Sequence, residues 1–337
     1  MNIDATLPKD LAGTATNARA IEEAGYGGLW IAESKHDPFL LALRAGEATE
    51  RITLGTSIAI AFARTPMTLA QAAFDLALYT RGRFVLGLGS QVKPHIERRF
   101  SMPWSQPAAR MREFVLAMRA IWDCWQHGRP LDFRGDFYTH TLMTPFFSPE
   151  PHEYGPPPVY LAGVGERMTE VAGEVCDGFF FHPFTTPRYL REVTVPALAR
   201  GRKKAGRDGQ DFTVAGPAFV AVGRDETELR RAVEGTKAQI AFYASTPAYR
   251  GVLDLHGWGD LQSELTALTK QGRWSELGER IDDEVLRTFA VVGDPATTAA
   301  GLTARYGGIA TRITLYATYE SDPTLWLEVL GALGSRT

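Results

Sequence analysis

The chain has 337 residues, with 36 Lys and Arg against 39 Asp and Glu and a formal net charge of −3. That balance leaves no electrostatic footprint for a polyanion, so a nucleic-acid partner is not expected. Hydrophobic content of 45% beside 22% charged residues is ordinary globular composition and supplies enough apolar material for a continuous core. Two cysteines, Cys124 and Cys176, cannot build a disulfide framework and lack zinc-ligand spacing, which fits a reducing cytoplasm.

The opening MNIDATLPKDLAG carries an acid and a proline but no apolar run, so neither a signal peptide nor an anchor is expected there. No later stretch approaches the roughly 20 apolar residues of a membrane span. Along the chain, short apolar, β-rich runs alternate with segments of helical period. The runs are Ile3 to Thr6, Leu29 to Ala32, Ile52 to Ile58, Phe84 to Leu88, Pro158 to Ala162, Gly178 to His182, Phe212 to Val222 and Arg312 to Tyr316. Such alternation predicts parallel strands joined by crossover helices, and eight is the number at which a parallel sheet closes around a filled interior. The expected fold is therefore α/β, a (β/α)8 barrel forming one domain over residues 1–337.

Helix boundaries are legible as well. Ala18, Ile21 and Ala24 share a face, and Gly25 follows as a stop. Thr65-Pro66, Asp225-Glu226 and Asp294-Pro295 each read as a cap followed by a helix start. Two stretches interrupt the alternation and are predicted insertions, 131–158 and 245–284. The first alternates apolar and polar residues around Arg134-Gly135-Asp136, a small hairpin, then runs into proline-rich loop. The second mixes Gly, Trp and charge with weak helical period, a helical excursion.

Catalytic groups of such barrels stand just after the strands. After the second run come Glu33, Ser34, Lys35, His36 and Asp37. After the third come Ser57 and Ile58, and after the fourth Gly89, Ser90 and Gln91. Gly163-Val164-Gly165-Glu166-Arg167 follows the fifth and opens a helix at Met168 to Val175, and a glycine turn feeding a helix start offers free amides to an anion such as a phosphate. The same glycines also fit a plain tight turn. A dinucleotide fingerprint fits poorly, because Met168 and Val92 stand where the third glycines of the two Gly-x-Gly motifs should be. His36, beside Asp37, has the makings of a general acid, or of a packing or capping residue. His182, after Phe179, Phe180 and Phe181, reads as a core-edge histidine. No metal-ligand spacing and no Gly-x-Ser-x-Gly occurs.

Four blocks together resemble the luciferase-like flavin and F420-dependent oxidoreductase superfamily. They are AIEEAGYGGLWIAESKHDPF (20–39), RITLGTSIAIAFARTPMTLAQAAFDLALYTRGRFVLGLGS (51–90), PPVYLAGVGERMTEVAGEVCDGF (157–179) and FAVVGDPATTAAGLTARYGG (289–308). The resemblance covers most of the chain in order. It implies a barrel binding coenzyme F420, with FMN as the alternative, and exchanging a hydride with a small organic substrate. It also implies a non-proline cis peptide at Ser57–Ile58 and cofactor contacts at Ser34, Ser57, Ile58, Gly89, Ser90, Gln91, Ala162, Gly163, Val164, Gly165, Glu166 and His182. The acid–histidine pair of many relatives falls at Glu33-Ser34 here, so His36, or else Glu33, is expected to handle the proton. Alternatives are an FMN-dependent monooxygenase and a non-catalytic cofactor-binding barrel. Relatives often pair through barrel helices, so a homodimer is expected.

Overall fold

The computed structural model describes residues 1–334 and contains all eight expected strands. Its contacts divide the described residues into two units, one of Asp4–Phe180 with Ala197–Thr213, the other of Met1–Ile3, Phe181–Pro196 and the residues from Val214 on.

In the first unit the strands Gly28–Ile31, Thr53–Thr56, Phe84–Gly89, Val159–Ala162 and Gly178–Phe180 lie side by side in chain order. The end of Asn2–Thr6 joins them, with Ala5 opposite Leu29. All of these pairings are parallel: Leu29 faces Leu54, Leu54 faces Phe84, Leu86 faces Val159 and Leu161 faces Phe179. Gly28–Ile31 and Phe84–Gly89 are buried along their whole length, as expected of strands covered on both faces. The third run ends as a strand at Thr56, two residues earlier than its composition suggests. The chain then turns through a cis peptide at Ser57–Ile58 before the short strand Ala59–Ile60, which pairs with Leu88 and Gly89.

The helices begin where the caps predict. Thr65 closes a capping box with Thr68 at the start of Pro66–Tyr79, worth about 1 kcal/mol. Thr14–Glu23 ends before Gly25, whose φ of 87° is the left-handed value a glycine adopts freely. The insertion 131–158 carries the expected hairpin, Phe133–Arg134 against Thr139–His140. Its turn is fixed by Glu113, whose carboxylate accepts the amides of Asp136, Phe137 and Tyr138 at 2.9, 2.7 and 2.6 Å.

The second unit is built on the strand Thr213–Val222 from Val214 onward. Ala215 faces Arg312 of the strand Arg312–Tyr316, and Phe219 faces Ala290 of the strand Ala290–Gly293, both in parallel. Ala290–Gly293 lies outside the eight expected runs; at four residues flanked by helices it has no strand period of its own. Residues 245–284 fold into the helices Arg250–Leu255 and Gly259–Lys270 with short 3-10 turns, and they pack on a core of Phe184, Phe219, Ile240, Leu253, Leu265 and Phe289. Among the described residues no helix is long and apolar enough to cross a membrane.

Candidate active site

Within the first unit, the segments that follow the second, third and fourth strands meet at their carboxyl ends. Arg64 holds two of them together. Its guanidinium donates to Glu33 Oε2 at 2.7 Å and to Asp37 Oδ2 at 2.9 Å, and it lies 5.4 Å from the Phe39 ring centre. The same Glu33 oxygen accepts the Ile60 amide at 2.7 Å, and the backbone amides of Glu33 and Ser57 donate to the carbonyls of Ile58 and Ile31. The Glu33 side chain is 7% exposed and that of Arg64 19%. Burial alone lowers the affinity of Arg64 for its proton, but the bonds to Glu33 and Asp37 outweigh it and hold the guanidinium above its ordinary range.

These contacts sort the sequence candidates. Glu33 is committed to Arg64 and Ile60, so it ties the loop down. The other Asp37 oxygen caps the helix Pro38–Glu47 through the Phe39 amide at 2.8 Å. Asp37 thus serves the helix and Arg64, and no bond joins it to His36. His36 is half-buried in the loop that these bonds fix, with Ser34 beside it. The Ser34 carbonyl accepts Arg99 Nη2 at 3.2 Å, which ties the loop to the segment after the fourth strand. Arg64 is not among the sequence candidates. Its signal is an arginine shortly past a strand end, following a loop that holds two carboxylates.

At the strand ends the chain around Thr56 to Ile58 lies close against the fourth strand. A Cβ on Gly87 would sit 1.9 Å from the Thr56 carbonyl oxygen, and one on Gly89 would sit 2.7 Å from the Ile58 side chain. Only glycine lets Ile58 lie this close to the fourth strand. Gln91, with φ of 60°, then turns the chain, and its side chain accepts the Val92 amide at 2.9 Å. After the fifth strand, Gly165 is the N-cap of the helix Glu166–Val175 and provides no side-chain cap. No atom lies within 4 Å of the position a Gly165 Cβ would take, so open space faces the helix start. Glu166 itself pairs with Arg200 at 2.8 Å.

His182 stands in the second unit. Its Nδ1 accepts the Phe184 amide at 3.1 Å and its Nε2 lies 3.0 Å from the Tyr249 hydroxyl, and burial pushes its pKa down to about 4. The ring is neutral at physiological pH.

A luciferase-like monooxygenase family model matches residues 3–312. The chain belongs to that family, and it is an oxidoreductase. An uncharacterized protein of Mycobacterium tuberculosis is 54% identical to this luciferase-like chain over 93% of it and 92% of the relative. A putative coenzyme F420-dependent oxidoreductase of the same organism is 29% identical, covering 82% of each chain. Among solved structures, the coenzyme F420 dependent tetrahydromethanopterin reductase of Methanopyrus kandleri superposes with a TM-score of 0.78 at 19% identity, covering 98% of this chain and 96% of its own. The EDTA monooxygenase of Chelativorans gives 0.77 at 17%, covering 100% and 94%. Those likenesses establish the α/β barrel fold of eight parallel strands for this luciferase-like oxidoreductase.

Proposed function

We propose that this oxidoreductase uses coenzyme F420 and exchanges a hydride between the deazaflavin and a small organic substrate. The observation that carries this is the pairing, at neighbouring strand ends of one unit, of the Ile58 side chain laid close against Gly89 with an uncapped helix start at Gly165. A planar ring fits the first. An anionic tail fits the second, because free amides and the positive end of the helix dipole favour negative charge. Ser34, Ser57, Ser90 and Gln91 surround the ring seat, and Ala162 to Glu166 form the tail seat.

Bound there, F420 supplies the hydride chemistry. The chain's part is to orient, to exclude water and to move one proton. His36 is the group we assign to the proton, since Glu33 and Asp37 are both held by Arg64. The putative F420-dependent relative of M. tuberculosis supports the cofactor, and the EDTA monooxygenase supplies the competing reading, an FMN enzyme that activates oxygen. Equilibrium dialysis against both cofactors decides between them. Binding of F420 with negligible retention of FMN is expected, whereas retained FMNH2 that reoxidises in air with substrate oxygenation refutes the proposal.

We also propose that the protein is a cytoplasmic homodimer. An open groove of about 700 Å³ beside Arg64 is lined by Phe39, Leu40, Leu69, Ala72 and Met102, and Leu40 at its edge is 59% exposed. An apolar surface of this kind on a helix pair suits burial against a second copy.

A further inference from the structure

Four rings of the second unit make two hydrogen-bonded pairs whose protons can be counted. A backbone amide can only donate, so the 3.1 Å contact from the Phe184 amide leaves His182 Nδ1 without a proton. A neutral ring then carries its proton on Nε2, and that proton is donated to the Tyr249 hydroxyl oxygen at 3.0 Å. The Tyr249 O–H is left over. In the second pair, the hydroxyls of Tyr243 and Tyr316 lie 2.9 Å apart, and one proton serves their mutual bond. The other is left over as well. Neither left-over proton has an acceptor among the described residues.

The pairs belong to one cluster. The His182 and Tyr249 rings stack with centres 4.5 Å apart, Tyr243 meets His182 edge-on at 4.7 Å, and Tyr243 and Tyr249 are 5.8 Å apart. Phe184 and Phe219 pack around them. No charged side chain bonds to any of the four. We propose that this array is a binding site for the carbonyl oxygen of an uncharged organic molecule, gripped by the two left-over phenolic O–H groups. Two spare donors within one cluster of rings suit the two lone pairs of one carbonyl oxygen, and the surrounding rings suit an apolar body. Burial disfavours charge of either sign here, pushing the Tyr249 hydroxyl up to about 12 and His182 down to about 4, so a carboxylate or an ammonium is poorly served. The site stands whether or not F420 is the cofactor, because its occupant is recognised by these side chains alone.

The test is binding to the full chain, read by calorimetry and by the infrared carbonyl stretch of the ligand. Cyclohexanone, acetophenone and 2-acetylnaphthalene form a size series of uncharged ketones. α-Methylstyrene replaces the carbonyl oxygen of acetophenone by carbon, and benzoate replaces the ketone by an anion. At least one ketone is expected to bind with its stretch moved to lower wavenumber, and α-methylstyrene and benzoate at least tenfold more weakly. Y249F and the double variant Y243F/Y316F, each confirmed as folded by circular dichroism, should each weaken the ketone about tenfold and move the stretch back, the effect of one neutral hydrogen bond. Failure of all three ketones to bind, α-methylstyrene binding as tightly as acetophenone, or unchanged stretch and affinity in both variants overturns the site. None of these readouts uses turnover, so a failed F420 assay and a failed carbonyl site remain distinguishable.

Discussion

Arg64 and Glu33 are joined by a 2.7 Å ion pair whose carboxylate oxygen also receives the Ile60 amide, so one buried contact fixes both the loop that carries His36 and the turn that follows Ser57–Ile58. Replacing Arg64 by Met leaves a carboxylate that is 7% exposed with only a backbone partner. We expect R64M to lose about 2 kcal/mol of stability, toward the low end for a broken buried pair because Arg64 itself is partly solvated. Urea unfolding measures this, and a loss below a few tenths of a kcal/mol would show that the clamp is not structural. The double variant R64M/E33Q should recover part of the loss, since the amide keeps the Ile60 bond without the unpaired charge.

If His36 moves the proton, H36N should lower kcat by about 100-fold or more while leaving the dissociation constant for F420 nearly unchanged. Steady-state kinetics beside cofactor titration separates the two quantities. Equal losses in binding and turnover would instead make His36 part of the cofactor seat.

The uncapped helix start gives a prediction with opposite signs for stability and binding. Gly165 has φ of −89° and ψ of 153°, which any residue adopts, and a Cβ there meets nothing within 4 Å. An aspartate at this position can cap the helix, so G165D should stabilise the fold by a few tenths of a kcal/mol. Its carboxylate also occupies the anion seat, and F420 affinity should fall at least tenfold. Thermal melts and dialysis on the same sample check both, and unaltered F420 binding would move the tail elsewhere.

His182 makes stability depend on pH. Its pKa is about 4 in the folded chain, below the ordinary 6.5, because burial disfavours the charged ring. The unfolded chain therefore takes up a proton that the folded chain refuses as pH falls below about 6.5. Stability from this group is complete above that pH, declines toward pH 4 and is flat below it, with a total loss of about 2 kcal/mol once partial exposure is allowed for. H182N, which does not titrate, should show a shallower fall between pH 6.5 and 4 in denaturant titrations.

For the pairing of two copies, Leu40 at 59% exposure is the position to test. L40E places charge on the groove without disturbing the interior, and light scattering should pass from a dimer mass to a monomer mass at micromolar concentration. A monomeric parent protein would dispose of the homodimer.

Much of this architecture was written in local sequence. Strand runs of β-branched and apolar residues, the caps at Thr65, Asp225 and Asp294, the stop at Gly25 and the hairpin around Gly135 all follow from period and turn chemistry that act over a few residues, and each stands where that chemistry puts it. The candidates after the strands were legible for the same reason, since the carboxyl end of a strand can be located from the strand itself. What local pattern cannot carry is partnership across the fold. That Glu33 and Asp37 both belong to Arg64, some 30 residues on, and that His182 meets Tyr249 and shares its cluster with Tyr243 and Tyr316, are decided within each unit by which distant segments the fold brings into contact. The strand Ala290–Gly293 is of the same kind: four residues carry too little period to declare a strand, and it exists because Phe219 to Val222 offer an edge to pair with.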